Sequence, residues 1–294
     1  MGTRASALAL AQARWVAERL DGEVELVEIT TAGDLRRDHP PSPAPGQAWA
    51  GDPGDKSRWT GALERALLAG EIDVAVHSAK DVPCELAPGT AIVAVPPRAD
   101  PRDVLVGAPS LDALPVGATV GTSALRRRAQ LLAVRPDLAV VELRGNVDTR
   151  LRKLAAGEVD ALVLAAAGLA RLGRDDVEAV PLEGDVFVPA PGQGCLLVQG
   201  RTGDDGVAVA ADGPVADVAA HAALELERDV AARLGASCRT AVGVHAATGC
   251  VRGFVGLPDG SEWLIDDAPD AGALAERMLA AGAAELLARA EAMA

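Results

Sequence analysis

The sequence is poor in aromatic residues and in cysteine. It has no tyrosine, two phenylalanines and four tryptophans among 294 residues, and its four cysteines are widely spaced, with no Cys-x-x-Cys pair. This spacing argues against a disulfide framework and a zinc knuckle, so we expect reduced thiols and no metal. Hydrophobic residues still make up 49% of the chain, which is enough to form the cores of two or three compact units.

Long apolar runs and an excess of positive charge are also missing. No uncharged apolar stretch reaches the roughly 20 residues of a membrane span, and the first residues lack the order of a secretory signal. We therefore expect a cytoplasmic protein. The formal net charge of −14 disfavours nucleic acid and membrane surfaces as partners, because both are polyanions.

Basic residues are nevertheless concentrated in one part of the chain. From residue 120 to residue 153 there are eight lysines and arginines against three acidic residues, which gives this segment a net charge of +5. We infer a local anion site within an acidic protein.

Two segments resemble copies of one unit. Residues 62–76 and 151–163 each indicate a helix, a glycine at the helix end and a buried strand. Apolar runs alternate with helical stretches, which is typical of parallel sheets with crossover helices. The runs are 24–29, 72–76, 91–95, 140–143 and 161–164. The pattern predicts two related α/β domains that bind ligands just beyond the carboxyl ends of their strands.

The segment 39–58 is rich in proline, glycine and aspartate and has no periodicity. We interpret it as a mobile lid, with a disordered surface loop as the alternative. After residue 213 the pattern changes to a helix at 219–234, strands at 242–246 and 251–255, and a final helix at 271–290. These elements predict a smaller C-terminal α+β domain.

The sequence HSAKDVP at 77–83 follows a predicted strand. Its Lys80 and Asp81 can bind an anion and stabilise a cation, and the alternative is an ordinary ion pair in a loop. We interpret His77 as a structural histidine.

Two arginine-rich segments also follow predicted strands. GTSALRR at 121–127 combines a strand end, a Ser/Thr cap and a helix start, where free backbone N–H groups favour an anion. LRGNVDTR at 143–150 repeats this design, and Arg4 precedes Ser6, the expected cap of the first helix. Together they predict a ligand with several carboxylates or phosphates. The absence of GxxxxGK[ST] and GxGxxG disfavours a nucleotide.

Six motifs resemble those of the hydroxymethylbilane synthase (porphobilinogen deaminase) family. They are similar to GTRxSxLA at 2–9, HSxKDxP at 77–83, DPRD at 100–103, GTSxxRR at 121–127, RGNxxTR at 144–150 and PAxGQG at 189–194. The resemblance implies a monomeric transferase of haem biosynthesis that joins four porphobilinogen units head to tail with loss of ammonia. The chain grows on a covalently bound dipyrromethane, and hydrolysis then releases hydroxymethylbilane.

The resemblance also implies a fold of two periplasmic-binding-protein-like α/β domains and a smaller C-terminal α+β domain. We predict that the first domain comprises residues 1–96 and 191–212, the second 97–190 and the third 213–294.

Roles follow from the resemblance for individual residues. Asp81 matches the catalytic aspartate, and Cys238 matches the cysteine that holds the cofactor through a thioether. The residues expected to bind the cofactor are Lys80, Ser123, Arg126, Arg127 and Arg144. Those expected to bind substrate are Arg4, Ser6, Arg150 and Arg171, and those expected in the lid are Lys56 and Trp59.

The chain departs from the family pattern in the lid region and before the cofactor cysteine. Where the family has GGKGxFxKELE, this chain keeps Lys56, has Trp59 as the aromatic residue and has Gly61 in place of the second lysine. Ala236 and Ser237 precede Cys238, where two glycines are common. One alternative is a weakly active paralogue that binds another pyrrole or a polycarboxylate. The second is a solute-binding protein, which Cys238 and the missing export signal disfavour.

Overall fold

The computed structural model describes residues 1–20, 22–31, 57–204, 215–237 and 240–293. Packing divides these residues into two units. One contains the described residues of 1–101 and 192–225, and the other contains those of 102–191 and 226–293. The division into three domains stays a prediction.

The first unit contains a mixed sheet. Its strands are β1 (Gly2–Arg4), β2 (Val27–Ile29), β3 (Val74–Ser78), β4 (Thr90–Ala94) and β10 (Leu196–Arg201), in the order β2-β1-β3-β10-β4. β1 pairs in parallel with β2 and β3, whereas β10 is antiparallel to β3 and β4. The expected parallel pairing is therefore wrong at β10, a strand contributed by a segment distant in sequence from its neighbours.

Two helices cover this sheet. α1 (Ala7–Ala17) packs its Val16 with Val76 of β3, and α2 (Ser57–Leu68) packs its Leu63 with Ala75 of the same strand. Because successive side chains of a strand point to opposite faces, α1 and α2 lie on opposite faces of the sheet.

The second unit contains a sheet of the same design. Its strands are β5 (Asp103–Val106), β6 (Thr119–Gly121), β7 (Ala139–Val141), β8 (Ala161–Ala165) and β9 (Ala179–Pro181), in the order β7-β6-β8-β5-β9. β6 is parallel to β7 and β8, and β5 is antiparallel to β8 and β9. The helices α3 (Leu125–Val134), α4 (Val147–Ala155) and α5 (Ala166–Arg171) follow β6, β7 and β8.

The internal repeat is confirmed in atomic detail. Gly70 (φ +74°) follows the end of α2, and its N–H donates to Leu67 O. Gly157 (φ +73°) follows the end of α4, and its N–H donates to Leu154 O. The glutamate that follows each glycine also donates its N–H to a carbonyl five residues earlier: Glu71 to Ala66 O, and Glu158 to Lys153 O. Glycine is favoured at this position after a helix, because the position requires a left-handed backbone conformation that residues with a Cβ rarely adopt.

The C-terminal part contains an antiparallel sheet with helices around it. The elements are α6 (Val218–Arg233), β11 (Ala241–Ala247), β12 (Cys250–Gly256), β13 (Trp263–Ala268), α7 (Ala271–Ala280) and α8 (Ala283–Met293), with strand order β11-β12-β13. The predicted helix and two strands are confirmed, and β13 was missed. The single final helix was wrong, because Gly282 (φ +98°) separates α7 from α8.

The predicted fold class is confirmed. Each of the two related α/β sheets has five strands, of which the fourth in spatial order is antiparallel to its neighbours, and a smaller α+β part follows them in the chain. Of the predicted lid, residues 39–56 lie outside the described residues, while Ser57 and Arg58 belong to α2. Across the described ranges, no helix combines the length and apolar character that a membrane span requires.

Candidate active site

A small open pocket lies at the carboxyl ends of β1 and β3 in the first unit. The residues of its wall that matter here are Arg4, Ser6, Gln12, Trp59, His77 and Asp81. Four of them, Arg4, Ser6, Trp59 and Asp81, are predicted site residues. The pocket lies where the ligands of such sheets bind, beyond the carboxyl ends of parallel strands.

Asp81 reaches the pocket from a single 3₁₀ turn, Ala79–Asp81, that directly follows β3. The turn begins at the buried Ala79, whose N–H donates to Cys195 O at 3.1 Å, and it closes with Val82 N–H donating to Ala79 O. Asp81 is half-buried. A half-buried carboxylate acts on a bound cation with less screening than a fully exposed one.

Lys80, the neighbouring residue, extends toward the turn before β10. Its Nζ donates to Oε1 of Gln193 at 3.3 Å. Gln193 lies in the PAPGQG segment, which resembles a family motif, and no role was predicted for this residue.

Arg4 and Trp59 line the pocket as a stacked pair. The guanidinium carbon of Arg4 lies 4.2 Å from the centroid of the Trp59 ring. Trp59 belongs to the first turn of α2, and its role in a lid stays a prediction. Ser6 caps α1 as predicted, since its Oγ accepts the N–H of Ala9 at 3.3 Å.

His77 is 6% exposed on β3 and also contributes to the pocket wall. Burial lowers its pKa to about 4, and the opposing effects of Gln199 and of the Asp81 charge are smaller. Its imidazole is therefore neutral near pH 7. Within the described part of the chain, its Nε2 has no hydrogen-bond partner.

Sequence reasoning missed the pair formed by Gln12 and Ser78. Gln12 lies on α1 and is 3% exposed, and its Nε2 donates to Ser78 Oγ at 2.9 Å. Both residues line the pocket. A signal for Gln12 was present in the sequence, because it is a polar residue in the stripe that α1 buries, next to Ala13 and Val16.

In the second unit, Arg126 and Arg127 share one carboxylate, that of Asp103 at the start of β5. Nη1 of Arg126 lies 2.7 Å from Oδ2, and Nε of Arg127 lies 3.0 Å from Oδ1. The three side chains are 6%, 7% and 2% exposed, respectively. Two guanidinium charges face one carboxylate charge, so the buried cluster is positive.

Arg150 adds to this positive charge. It donates to Ser123 Oγ at 2.9 Å, and its Nε donates to Gly145 O at 2.9 Å. Burial, followed by the charge of Arg127, lowers the pKa of Arg150 to about 10. Burial also lowers the pKa of Arg126, against the opposing charge of Asp103. Both shifts mean that burial makes the charged forms of Arg126 and Arg150 less favourable. A bound anion would offset this effect.

Two further arginines follow strands of this sheet. Arg144 comes after β7 and pairs with the buried carboxylate of Glu142. Arg171 ends α5, the helix that follows β8. The structure therefore places Ser123, Arg126, Arg127, Arg144, Arg150 and Arg171 in segments that follow the carboxyl ends of β6, β7 and β8.

The predicted Ser/Thr cap at the start of α3 was wrong. The N-cap is Ala124, without a side-chain hydrogen bond, and Thr122 Oγ1 accepts the N–H of Ala124 itself at 3.2 Å. The reason is that Thr122 continues the pairing of β6, its N–H donating to Val141 O, so the helix begins later. Lys56 and Cys238 lie outside the described residues, and their roles stay predictions.

Comparisons with known proteins show to which family the chain is similar. A family profile described as "Porphobilinogen deaminase, dipyromethane cofactor binding domain" matches residues 1–209. The chain is 45% identical to a porphobilinogen deaminase of Roseiflexus castenholzii, with 98% of each chain covered. It is 42% identical to the enzyme of that name from Deinococcus radiodurans, over 98% of this chain and 97% of the relative.

Among solved structures, the chain is similar to an ancestral cationic amino acid solute binding protein. The identity is 16%, and the TM-score is 0.37 over 70% of this chain and 75% of the other. The family assignment rests on the profile, which covers more than half of the chain, and on relatives that match nearly all of it. The chain therefore belongs to the porphobilinogen deaminase family.

Proposed function

We propose that the chain joins four porphobilinogen molecules head to tail, releases one ammonia at each addition and frees hydroxymethylbilane by hydrolysis. The observation that carries this proposal is the position of Asp81. A 3₁₀ turn places Asp81 in the wall of a pocket that Arg4 also lines, in a chain that belongs to this family. An anionic group for a developing cation and a cationic group for a carboxylate are what this substrate requires.

Asp81 acts on the reacting pyrrole. Loss of ammonia converts porphobilinogen into an azafulvene cation, and a carboxylate near the pyrrole nitrogen stabilises that cation and assists proton transfers. Asp81 is half-buried, and backbone hydrogen bonds of Ala79 and Val82 fix the turn that contains it, so the backbone needs little reorganisation as the charge forms. His77 stays neutral beside it at neutral pH and adds no competing positive charge.

Arginines bind the acetate and propionate groups of the pyrroles. Arg4, Ser6, Arg150 and Arg171 are proposed to bind substrate, with Trp59 holding Arg4 in place. Arginine suits this task because it stays charged and binds carboxylates in a fork, each such contact contributing on the order of 1.5 to 3 kcal/mol. Lys56 and Trp59 are proposed to cover the bound substrate.

Dipyrromethane, when bound, supplies the nucleophilic pyrrole carbon to which the first substrate is joined. The excess of positive charge around Asp103 fits its carboxylates. The residues proposed to hold it are Cys238 through a thioether and, through its carboxylates, Lys80, Ser123, Arg126, Arg127 and Arg144. We further propose a cytoplasmic monomer without nucleic acid or membrane partners, in keeping with the charge of −14.

Intact mass spectrometry tests this function. Protein purified from cells that make porphobilinogen should carry the mass of two linked pyrroles, and Cys238→Ser should carry none. Cys250→Ser, which replaces an exposed thiol on β12, is the matched control and should keep the adduct. Incubation with porphobilinogen should then release ammonia and hydroxymethylbilane. A bare polypeptide mass in wild type would favour the paralogue that only binds a pyrrole or polycarboxylate.

A further inference from the structure

Gln193 is a buried glutamine that connects three parts of the first unit. It is 1% exposed, its Oε1 accepts from Lys80 Nζ at 3.3 Å, and its Nε2 donates to Pro101 O at 2.6 Å. Its own carbonyl accepts two N–H groups of Arg98, at 3.0 Å from Nε and 2.8 Å from Nη2. Gln193 thus links the turn after β3, the turn before β10 and the segment that follows β4.

The backbone that directly follows Gln193 is fixed by two hydrogen bonds. Cys195 O accepts the N–H of Ala79, and Gly194 O accepts the N–H of Ala99, each at 3.1 Å. Gly194 lies so close to the segment that follows β4 that a Cβ there would clash with Ala99 O. This close approach leaves Gln193 little freedom to shift relative to Lys80.

The orientation of the Gln193 amide follows from its two partners. Pro101 O can only accept, so the NH₂ group must face it, and the amide oxygen then faces the Lys80 ammonium. The reverse orientation would place an N–H donor against an ammonium and an oxygen against a carbonyl oxygen. A glutamine meets both demands, whereas leucine meets neither.

We propose that Gln193 is a positioning residue that holds the ammonium of Lys80 in place for the carboxylates of the bound pyrroles, with Arg98 fixing the backbone of Gln193. The inference rests on the proposed function, which assigns those carboxylates to Lys80. Lys80 directly precedes Asp81 in the turn that follows β3.

A double-mutant cycle separates positioning from a merely structural role. Gln193→Leu should lower kcat/KM about tenfold, the size expected for a lost hydrogen bond to a charged group. In a Lys80→Met background the same substitution should have almost no further effect, because its target is gone. If the two reductions multiply instead, Gln193 does not act through Lys80 and the proposal is wrong.

Gln199→Leu is the matched control. Gln199 is also a fully buried glutamine, on β10, but its Nε2 donates to Thr90 Oγ1 at 2.8 Å and to Glu64 Oε1 at 3.3 Å. Its substitution should lower the melting temperature as Gln193→Leu does, yet its effect on kcat/KM should multiply with that of Lys80→Met.

Amine labelling gives a readout that is independent of turnover. The rate at which acetic anhydride modifies Lys80, followed by peptide mass spectrometry, should rise several-fold in Gln193→Leu and stay unchanged in Gln199→Leu. Equal rates in wild type and Gln193→Leu would overturn the proposal even in an active enzyme. If wild type forms no tetrapyrrole, the proposed function fails, while the labelling still tests the contact between Gln193 and Lys80.

Gln193→Glu keeps the test decisive if Gln193→Leu does not fold. It retains an oxygen opposite Lys80 and loses the donor to Pro101 O. Lys80 should then be labelled no faster than in wild type, and the coupling to Lys80→Met should persist. Faster labelling in this variant would contradict the proposal.

Discussion

Arg4 lies over the indole ring of Trp59, with the guanidinium carbon 4.2 Å from the ring centroid. Arg4 ends β1 and Trp59 lies in the first turn of α2, so the contact joins two elements that are distant in sequence. Both residues line the pocket that contains Asp81. An aromatic ring at position 59 therefore contacts the guanidinium of Arg4, which we propose binds a substrate carboxylate.

Trp59→Ala should raise KM for porphobilinogen more than it lowers kcat. Loss of a cation–π contact, worth about 0.5 to 1 kcal/mol at such a site, corresponds to a rise in KM of about two- to fivefold. Steady-state kinetics measures both constants. Trp59→Phe, which keeps a ring beneath Arg4, is the control and should stay close to wild type. Unchanged KM in Trp59→Ala would mean that the stack does not contribute to substrate binding.

Asp81→Asn should keep the fold and the bound cofactor while losing most turnover. The substitution removes the charge that faces the substrate cation and changes the side-chain volume little. Initial rates of product formation, thermal unfolding and intact mass together measure the three properties. Asp73→Asn, at a carboxylate that is 83% exposed, should leave the rate unchanged. Turnover of Asp81→Asn within about threefold of wild type would remove Asp81 from the proposed catalytic role.

Asp103→Asn should destabilise the protein strongly. It leaves two buried guanidinium groups without their shared carboxylate, a loss for which about 3 to 5 kcal/mol is expected. Urea denaturation measures the free energy of unfolding. The control is Asp176→Asn, whose pair with Arg174 is 64% exposed on the aspartate side and should contribute less than about 1 kcal/mol. Equal losses in the two variants would show that burial of the Asp103 cluster does not determine its energy.

His77 should make the free energy of unfolding fall as the pH falls from about 6.5 to about 4. Its pKa is about 4 in the folded protein and returns to the ordinary histidine value of 6.5 on unfolding, so in this window the unfolded chain binds the additional proton. Below both pKa values the total loss in the free energy of unfolding amounts to roughly 3 kcal/mol, at about 1.4 kcal/mol for each unit of difference between the two pKa values.

Denaturation curves at several pH values test this linkage. His77→Gln should show a shallower fall in stability across the window than wild type. The same slope in His77→Gln and wild type would show that other groups account for the pH dependence.

Local features of the fold could be read from the sequence. The two helix-glycine-strand copies, the cap at Ser6 and the helix at 218–233 depend on residues near one another in the chain, and the structure confirms them. The break between α7 and α8 also has a local signal, because Gly282 lies inside the predicted helix. It was missed because an alanine-rich apolar pattern continues across Gly282.

The partners of the site residues depended on tertiary structure. Sequence motifs placed Arg126 and Arg127 after a strand, but only the antiparallel pairing of β5 with β8 and the packing of α3 bring both to Asp103, 23 and 24 residues away. Gln12 and Ser78 are 66 residues apart, and Lys80 and Gln193 are 113 residues apart.

The sequence by itself determined the family, the elements and the residue types available for chemistry, because motif order, periodicity and capping are properties of short segments. Tertiary structure alone decided the direction of β5 and β10, the sharing of Asp103 by two arginines and the contact of Gln193 with Lys80. The physical reason is that a hydrogen bond or ion pair forms only between atoms within about 3 Å of each other. For residues this far apart in the chain, that distance is set by how the strands pair and how the turns between them pack.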